Sequence, residues 1–189
     1  MKRINQNHNS PQVFNQKFTG TFGISDMERL EELAKYFVGG VYLDIGCLDS
    51  PMPVILSERY PKSHIWGLDY ADEVISFLAP RFPKVHYIVG DAYLLPFEDE
   101  TIDYIVAGET IEHLEDPQAA VKEWLRVLKP KGVLAISTPW EELNKQPSVG
   151  GKLHIWSYST QDIKDLLGTD DVETLKEERT KSILAWKRK

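Results

Sequence analysis

The chain of 189 residues has a single cysteine, Cys47. No intramolecular disulfide is therefore available, which fits a reducing compartment and the expectation of a cytoplasmic protein. No apolar run approaches the ~20 residues that cross a bilayer. The first ten residues lack the apolar core of a secretory signal. Internal repeats and low-complexity tracts are missing as well, which removes repeat architectures. An excess of positive charge is also lacking. A net charge of −7 argues against a broad phosphate-binding surface and against a nucleic-acid partner, while leaving room for a local basic groove.

What is present is ordinary globular material. A hydrophobic content of 42% with 11% aromatics excludes bulk disorder, and the length fits one domain. Residues 25–189 are expected to form it, as a monomer or homodimer. Residues 1–24 read as a polar, frayed tail or the start of a cap.

Apolar spacing predicts a helix over Met27–Phe37, stopped by Gly39-Gly40, and a buried strand over Val41–Ile45. A helix over Val54–Arg59 follows Pro53, and a second strand runs over His64–Leu68. Asp72 is expected to cap a helix through Phe82, interrupted near Pro80. Val85–Val89 and Ile102–Ala107 are further strands. Between the latter and the strand Gly132–Ser137 lies a helix capped by Asp116-Pro117, with Val121, Trp124, Leu125 and Leu128 as its stripe and Lys129-Pro130 as its end. A last helix ends at Leu167, and Val172–Glu177 with Ser182–Trp186 form a closing hairpin. Alternating strands and helices imply a mostly parallel sheet covered on both faces, with ligands at the carboxyl ends of its strands.

Those ends carry, in chain order, Asp44 with Gly46, Asp69, Gly90 with Asp91, Glu109 and Thr138. An acid at the tip of the second strand accepts hydrogen bonds from both hydroxyls of a ribose, and the Gly46-to-Asp69 separation is near the ~20 residues such folds use. Asp91 with Ala92 suits an adenine amino group. Each acid alone is equally explained by strands giving way to solvated loops, but three in order favour a nucleotide-like cofactor. The dinucleotide fingerprint is absent, because its second and third glycine positions hold Leu48 and Pro51. A nucleotide-dependent oxidoreductase is thereby disfavoured.

Eight motifs then stand in order: Leu43-Asp-Ile-Gly-Cys47, Gly67-Leu-Asp-Tyr70, Gly90-Asp-Ala92, Leu95-Pro-Phe97, Phe97-Glu-Asp-Glu-Thr-Ile-Asp-Tyr104, Ile111-Glu-His-Leu-Glu-Asp-Pro117, Arg126-Val-Leu-Lys-Pro130 and Ser137-Thr-Pro139. With them the chain resembles a class I S-adenosylmethionine-dependent methyltransferase, of the broad family that includes ubiquinone-biosynthesis-type small-molecule enzymes. The resemblance spans about residues 28–168. It implies an α/β fold, a Rossmann-like, doubly wound, mostly parallel seven-stranded sheet with a C-terminal antiparallel hairpin and helices on both faces. It implies S-adenosylmethionine as cofactor and S-adenosylhomocysteine as product. By the same resemblance Asp44, Gly46 and Cys47 line the methionine and ribose end. Asp69 takes the ribose hydroxyls, Tyr70 lies beside the adenine, Asp91 and Ala92 sit at the adenine rim, and Gly108 and Glu109 stand where cofactor meets acceptor. The family usually has a second glycine where Leu48 stands. Either the loop is displaced and still binds, or affinity is lost; Asp49 is a candidate to compensate by meeting the cofactor's amino group.

Methyl transfer from a sulfonium demands alignment and exclusion of water more than a protein nucleophile. A base matters only for an acceptor that must lose a proton, and Glu109 and His113 are the candidates. Glu109, Glu112 and His113 would share one face if their segment is helical. With His154 they offer two carboxylates and two imidazoles, a set similar to that of the metal-dependent small-RNA 2′-O-methyltransferases. Metal-free relatives carry Glu-His-Leu there too, so no metal is expected. Trp140 through Leu153 reads as a lid hinged at Gly150-Gly151 and stiffened by Pro147, with Trp140, His154, Trp156 and Tyr158 shaping the acceptor pocket. The leading reading is a methyltransferase acting on a small molecule. The RNA enzyme and a non-catalytic binding module of the same fold are the alternatives.

Overall fold

The computed structural model describes residues 2–3, 24–140, 154–176 and 181–189. Its strands are β1 (Lys2–Arg3), β2 (Val41–Ile45), β3 (His64–Asp69), β4 (Val85–Val89), β5 (Ile102–Gly108), β6 (Leu128–Pro139), β7 (Trp156–Ser157), β8 (Val172–Lys176) and β9 (Lys181–Arg188). Its helices are α1 (Ile24–Leu33), α2 (Met52–Arg59), α3 (Asp72–Leu78), α4 (Pro117–Val127) and α5 (Thr160–Leu167), with a 3₁₀ turn at Ile111–His113. Seven strands form one sheet in the order β4-β3-β2-β5-β6-β9-β8. The first five in that order are parallel, and β9 is antiparallel to both neighbours.

Period-2 alternation divides the core between the two faces of the sheet. Tyr42, Tyr104, Val106, Val133 and Ala135 pack with Leu30 and Leu33 of α1 and with Met52 and Leu56 of α2. Leu43, Ile105, Ala107, Leu134 and Ile136 pack with Val121 and Trp124 of α4 and with Ile163 and Leu167 of α5. Both faces of the central strands are covered, which is why these strands are apolar throughout rather than alternating. The order reverses between β2 and β5, and a crevice opens there at the carboxyl ends of the strands.

Several boundaries differ from the spacing-based expectation. Helix α1 ends at Leu33, and residues 34–36 tighten into a turn in which Phe37 N–H donates to the Ala34 carbonyl at 2.9 Å. Asp72 is the first helical residue of α3 rather than its cap, which is Ala71. That helix stops at Leu78, since Pro80 has no N–H to continue the ladder. Leu128 belongs to β6, where it pairs with Ile102, so the α4 stripe ends at Val127. Pro130 disfavours helical backbone in the residue before it, and the chain is already extended there. The N-cap of α4 is as expected, with the Asp116 carboxylate accepting from Ala119 N–H at 3.0 Å. Within the expected tail, Lys2–Arg3 forms a short antiparallel pair with Trp156–Ser157. No helix among the described residues is long and apolar enough to cross a membrane.

Candidate functional site

A cavity of about 830 Å³ opens at the switch point. Its first wall is the β2 tip. Gly46 is left-handed at φ 70°, and a side chain there would put its Cβ 2.5 Å from Thr110 Oγ1, so only glycine fits. Gly46 and Cys47 N–H both donate to the Leu68 carbonyl, at 2.8 and 3.0 Å, which ties the loop to β3.

Leu48 adopts φ 36°, a left-handed conformation that a glycine takes without strain. Its N–H donates to Asp69 Oδ2 at 2.9 Å, and its side chain packs against Ala71, Val74 and Leu78. Backbone and side chain of the leucine thus both help to fix this loop. The other Asp69 oxygen accepts from Ala71 N–H at 2.9 Å. Asp69 lines the cavity while bracing the two loops beside it.

Asp44 is 3% exposed, and its Oδ2 has no hydrogen-bond partner among the described residues. Burial pushes its carboxyl up to about 7, with Asp69 adding to the rise, while the Ser50 hydroxyl and the Arg29 charge pull the other way. Asp69 is raised by burial too, against the pull of its backbone donors. Cys47 is buried as well, and burial and the two acids push its thiol well above the usual range.

Asp49, Tyr70, Asp91, Ala92 and Gly108 also line the cavity. Asp91 Oδ1 accepts from Tyr93 N–H at 2.8 Å, and the Ala92 carbonyl accepts from the Trp124 indole at 2.9 Å, so the rim is fastened to α4. At the β5 tip Glu109 sits at φ 54°, a strained conformation of the kind that gathers at functional sites. Its Oε1 accepts from Ser137 Oγ at 3.0 Å, and Ser137 in turn accepts from Arg29 Nη1 at 2.9 Å.

Arg29 reaches the cavity from α1 and was not foreseen in the sequence. The available signal was an arginine four residues before Leu33, on the apolar face of a helix. Tyr93, Thr110, Leu114 and Ile155 are among the further lining residues that the sequence did not single out.

The helical face expected for Glu109, Glu112 and His113 is not formed, because Glu109 precedes the 3₁₀ turn in left-handed backbone. Glu109 turns to Ser137 and Arg29, and Glu112 to Thr138, whose hydroxyl donates to Oε2 at 3.2 Å. Burial and the nearby Glu109 push the Glu112 carboxyl well above its usual range. His113 lines the cavity, and its ring lies 4.8 Å from that of His154.

Trp140, His154, Trp156 and Tyr158 stand outside the cavity lining. Tyr158 is 1% exposed in the core with its hydroxyl donating to the Ile111 carbonyl at 3.3 Å, and the Trp156 indole donates to the Leu114 carbonyl at 2.6 Å. These two side chains brace the 3₁₀ turn. The remainder of the expected lid, residues 141–153, lies outside the described residues.

Residues 43–136, the span from β2 into β6, match the family model for a methyltransferase domain, and the chain belongs to the class I S-adenosylmethionine-dependent methyltransferases. A probable S-adenosylmethionine-dependent methyltransferase of Mycolicibacterium smegmatis is 32% identical over 109 residues, covering 58% of this chain and 42% of that protein. A demethylmenaquinone methyltransferase of Staphylococcus haemolyticus is 32% identical over 101 residues, covering 51% of this chain and 42% of that protein. The chain thus spans less than half the length of these two relatives. Among solved structures, an S-adenosylmethionine-dependent methyltransferase from Aquifex aeolicus superposes with a TM-score of 0.70 at 17% identity, over 95% of this chain and 98% of that one. That likeness speaks to the fold, a Rossmann-like sheet with a C-terminal antiparallel hairpin.

Proposed function

We propose that the protein transfers the methyl group of S-adenosylmethionine to a small-molecule acceptor. The observation that carries this reading is the ordered row of acids at three adjacent strand tips, Asp44, Asp69 and Asp91, on one cavity whose glycine turn is intact. The unpartnered Asp44 Oδ2 suits a cationic ammonium, the methionine end of the cofactor, with Gly46, Cys47 and Asp49 around it. Asp69 and Tyr70 would hold the ribose and the near side of the adenine, and Asp91 and Ala92 its far rim. When bound, the cofactor supplies an electrophilic methyl group on sulfur.

The chain's own part is alignment and exclusion of water. Gly108, at the proposed meeting of cofactor and acceptor, leaves room for Arg29, whose Nη1 would lie 3.1 Å from a Cβ there. Glu109, held by Ser137 and Arg29, and His113 are placed to orient an acceptor or take its proton. Tyr93, Leu114 and Ile155 offer it apolar walls.

A small acceptor is supported by three points. The cavity lies within the ~300–1,000 Å³ of small-molecule sites, the negative net charge disfavours a polyanion, and the Staphylococcus relative's name specifies a quinone-type substrate. Leu48, which keeps the glycine-like backbone path, favours a working cofactor loop over a non-catalytic module. Calorimetry with S-adenosylhomocysteine tests the reading. Micromolar binding is expected, with Asp69→Ala costing about 1–3 kcal/mol. Absence of heat up to millimolar ligand would end this assignment.

A further inference from the structure

Behind the acceptor side of the cavity, three metal-ligating side chains converge that the methyl-transfer reading does not use as a set. Glu112, His113 and His154 each offer one donor atom, all within 4.8 Å of one another. We propose that these three residues bind a divalent first-row transition-metal ion of the zinc, cobalt or manganese class.

Glu112 is 1% exposed, and its Oε1 has no hydrogen-bond partner among the described residues. The nearest cationic candidate, His113 Nε2, stands 3.9 Å from that oxygen, beyond hydrogen-bond reach. A buried carboxylate oxygen left unsatisfied is costly, and it persists where something else completes it. A metal ion completes it and draws on both imidazoles at once. The donors choose the ion. Two imidazoles and one carboxylate suit zinc, cobalt, iron or manganese, whereas magnesium and calcium favour oxygen ligands throughout.

The cluster is also held in place before any ion arrives. Ile155 N–H donates to the Glu112 carbonyl at 2.8 Å, which fixes the segment carrying His154 against the 3₁₀ turn carrying the other two ligands. The Trp156 and Tyr158 bonds to Leu114 and Ile111 fix the same pair of segments further along. Thr138 orients the far oxygen of Glu112, the arrangement by which an outer residue aims a metal ligand. Ligand atoms around a tetrahedral ion lie roughly 3.5 Å apart for bonds near 2.1 Å. The gap to close is about an ångström, within the side-chain rotations of two half-buried histidines. Three protein ligands leave an open position, as in catalytic rather than structural sites. Because His113 and Ile155 line the cavity, a water or an acceptor heteroatom there is the natural occupant of that position.

The test uses cobalt(II) alone, added to the chelator-treated 189-residue chain without cofactor, so its outcome is independent of the methyl-transfer reading. Visible d–d absorption saturating at one ion per chain is expected. Glu112→Gln and His154→Asn should each weaken binding by at least about tenfold, with circular dichroism confirming that the variants fold. Absence of saturable d–d bands in the unmutated protein overturns the proposal whether or not the variants fold. It is equally overturned if the bands survive both substitutions, or if they vanish instead with His64→Asn and His86→Asn, the neighbouring histidines of the distant β3–β4 edge.

Discussion

Asp44 is a buried carboxyl facing a second one, Asp69, with the Arg29 guanidinium and the Tyr42, Cys47 and Tyr87 side chains nearby. Its folded value of about 7 stands above the ordinary 3.8. Between those values the native protein keeps a proton that the unfolded chain has lost. Stability contributed at this site therefore falls as pH rises through that window and levels off above it, with a slope of at most about 1.4 kcal/mol per pH unit. Urea melts from about pH 5 to about pH 8 should show the decline, and Asp44→Asn should remove its part of it. A slope unchanged in that variant would assign the effect to Asp69, which is raised in the same direction. The acids at the strand tips were legible in the sequence because strand ends are marked by composition. Arg29 was not, since its partner Ser137 lies far along the chain and only the folded sheet brings the two together.

Helix α4 shows what local signals determine. Asp116, Pro117 and an apolar stripe marked its start and its buried face, and Trp124 lies fully buried on that face. Nothing local indicated that the Trp124 indole would hold the Ala92 carbonyl. Trp124→Phe keeps most of the apolar bulk but leaves that carbonyl unpaired, at a cost of about 1–3 kcal/mol. A denaturant midpoint lowered accordingly, together with weaker S-adenosylhomocysteine binding, would show that α4 supports the rim as well as the core. Lost stability with unchanged binding would confine Trp124 to the core. The 3₁₀ turn at 111–113 is the opposite case. Its Glu112 and His113, with Glu109 just before it, suggested a shared helical face, but the left-handed Glu109 and the strand-end hydroxyls of Ser137 and Thr138 divide them.

The whole sheet was readable as a class, because alternating strands and helices with apolar strands leave few other architectures. Its seven strands and closing hairpin follow from that pattern. The long reach of β6 did not, since Leu128 fits an apolar helix stripe as well as an apolar strand. Nor did the pairing of Lys2–Arg3 with Trp156–Ser157, two short segments far apart in the chain. One consequence of the folded whole remains in Cys47. It is the chain's sole thiol, 2% exposed, and sits in the turn that binds β2 to β3. Maleimide or disulfide reagents should leave the native protein almost unmodified and label it only as fast as that turn opens. Saturating S-adenosylhomocysteine should slow the labelling further, whereas labelling at the rate of a free thiol would place Cys47 at the surface. The molecule thus carries its own clock, a single sulfur whose alkylation rate counts how often the cofactor loop comes undone.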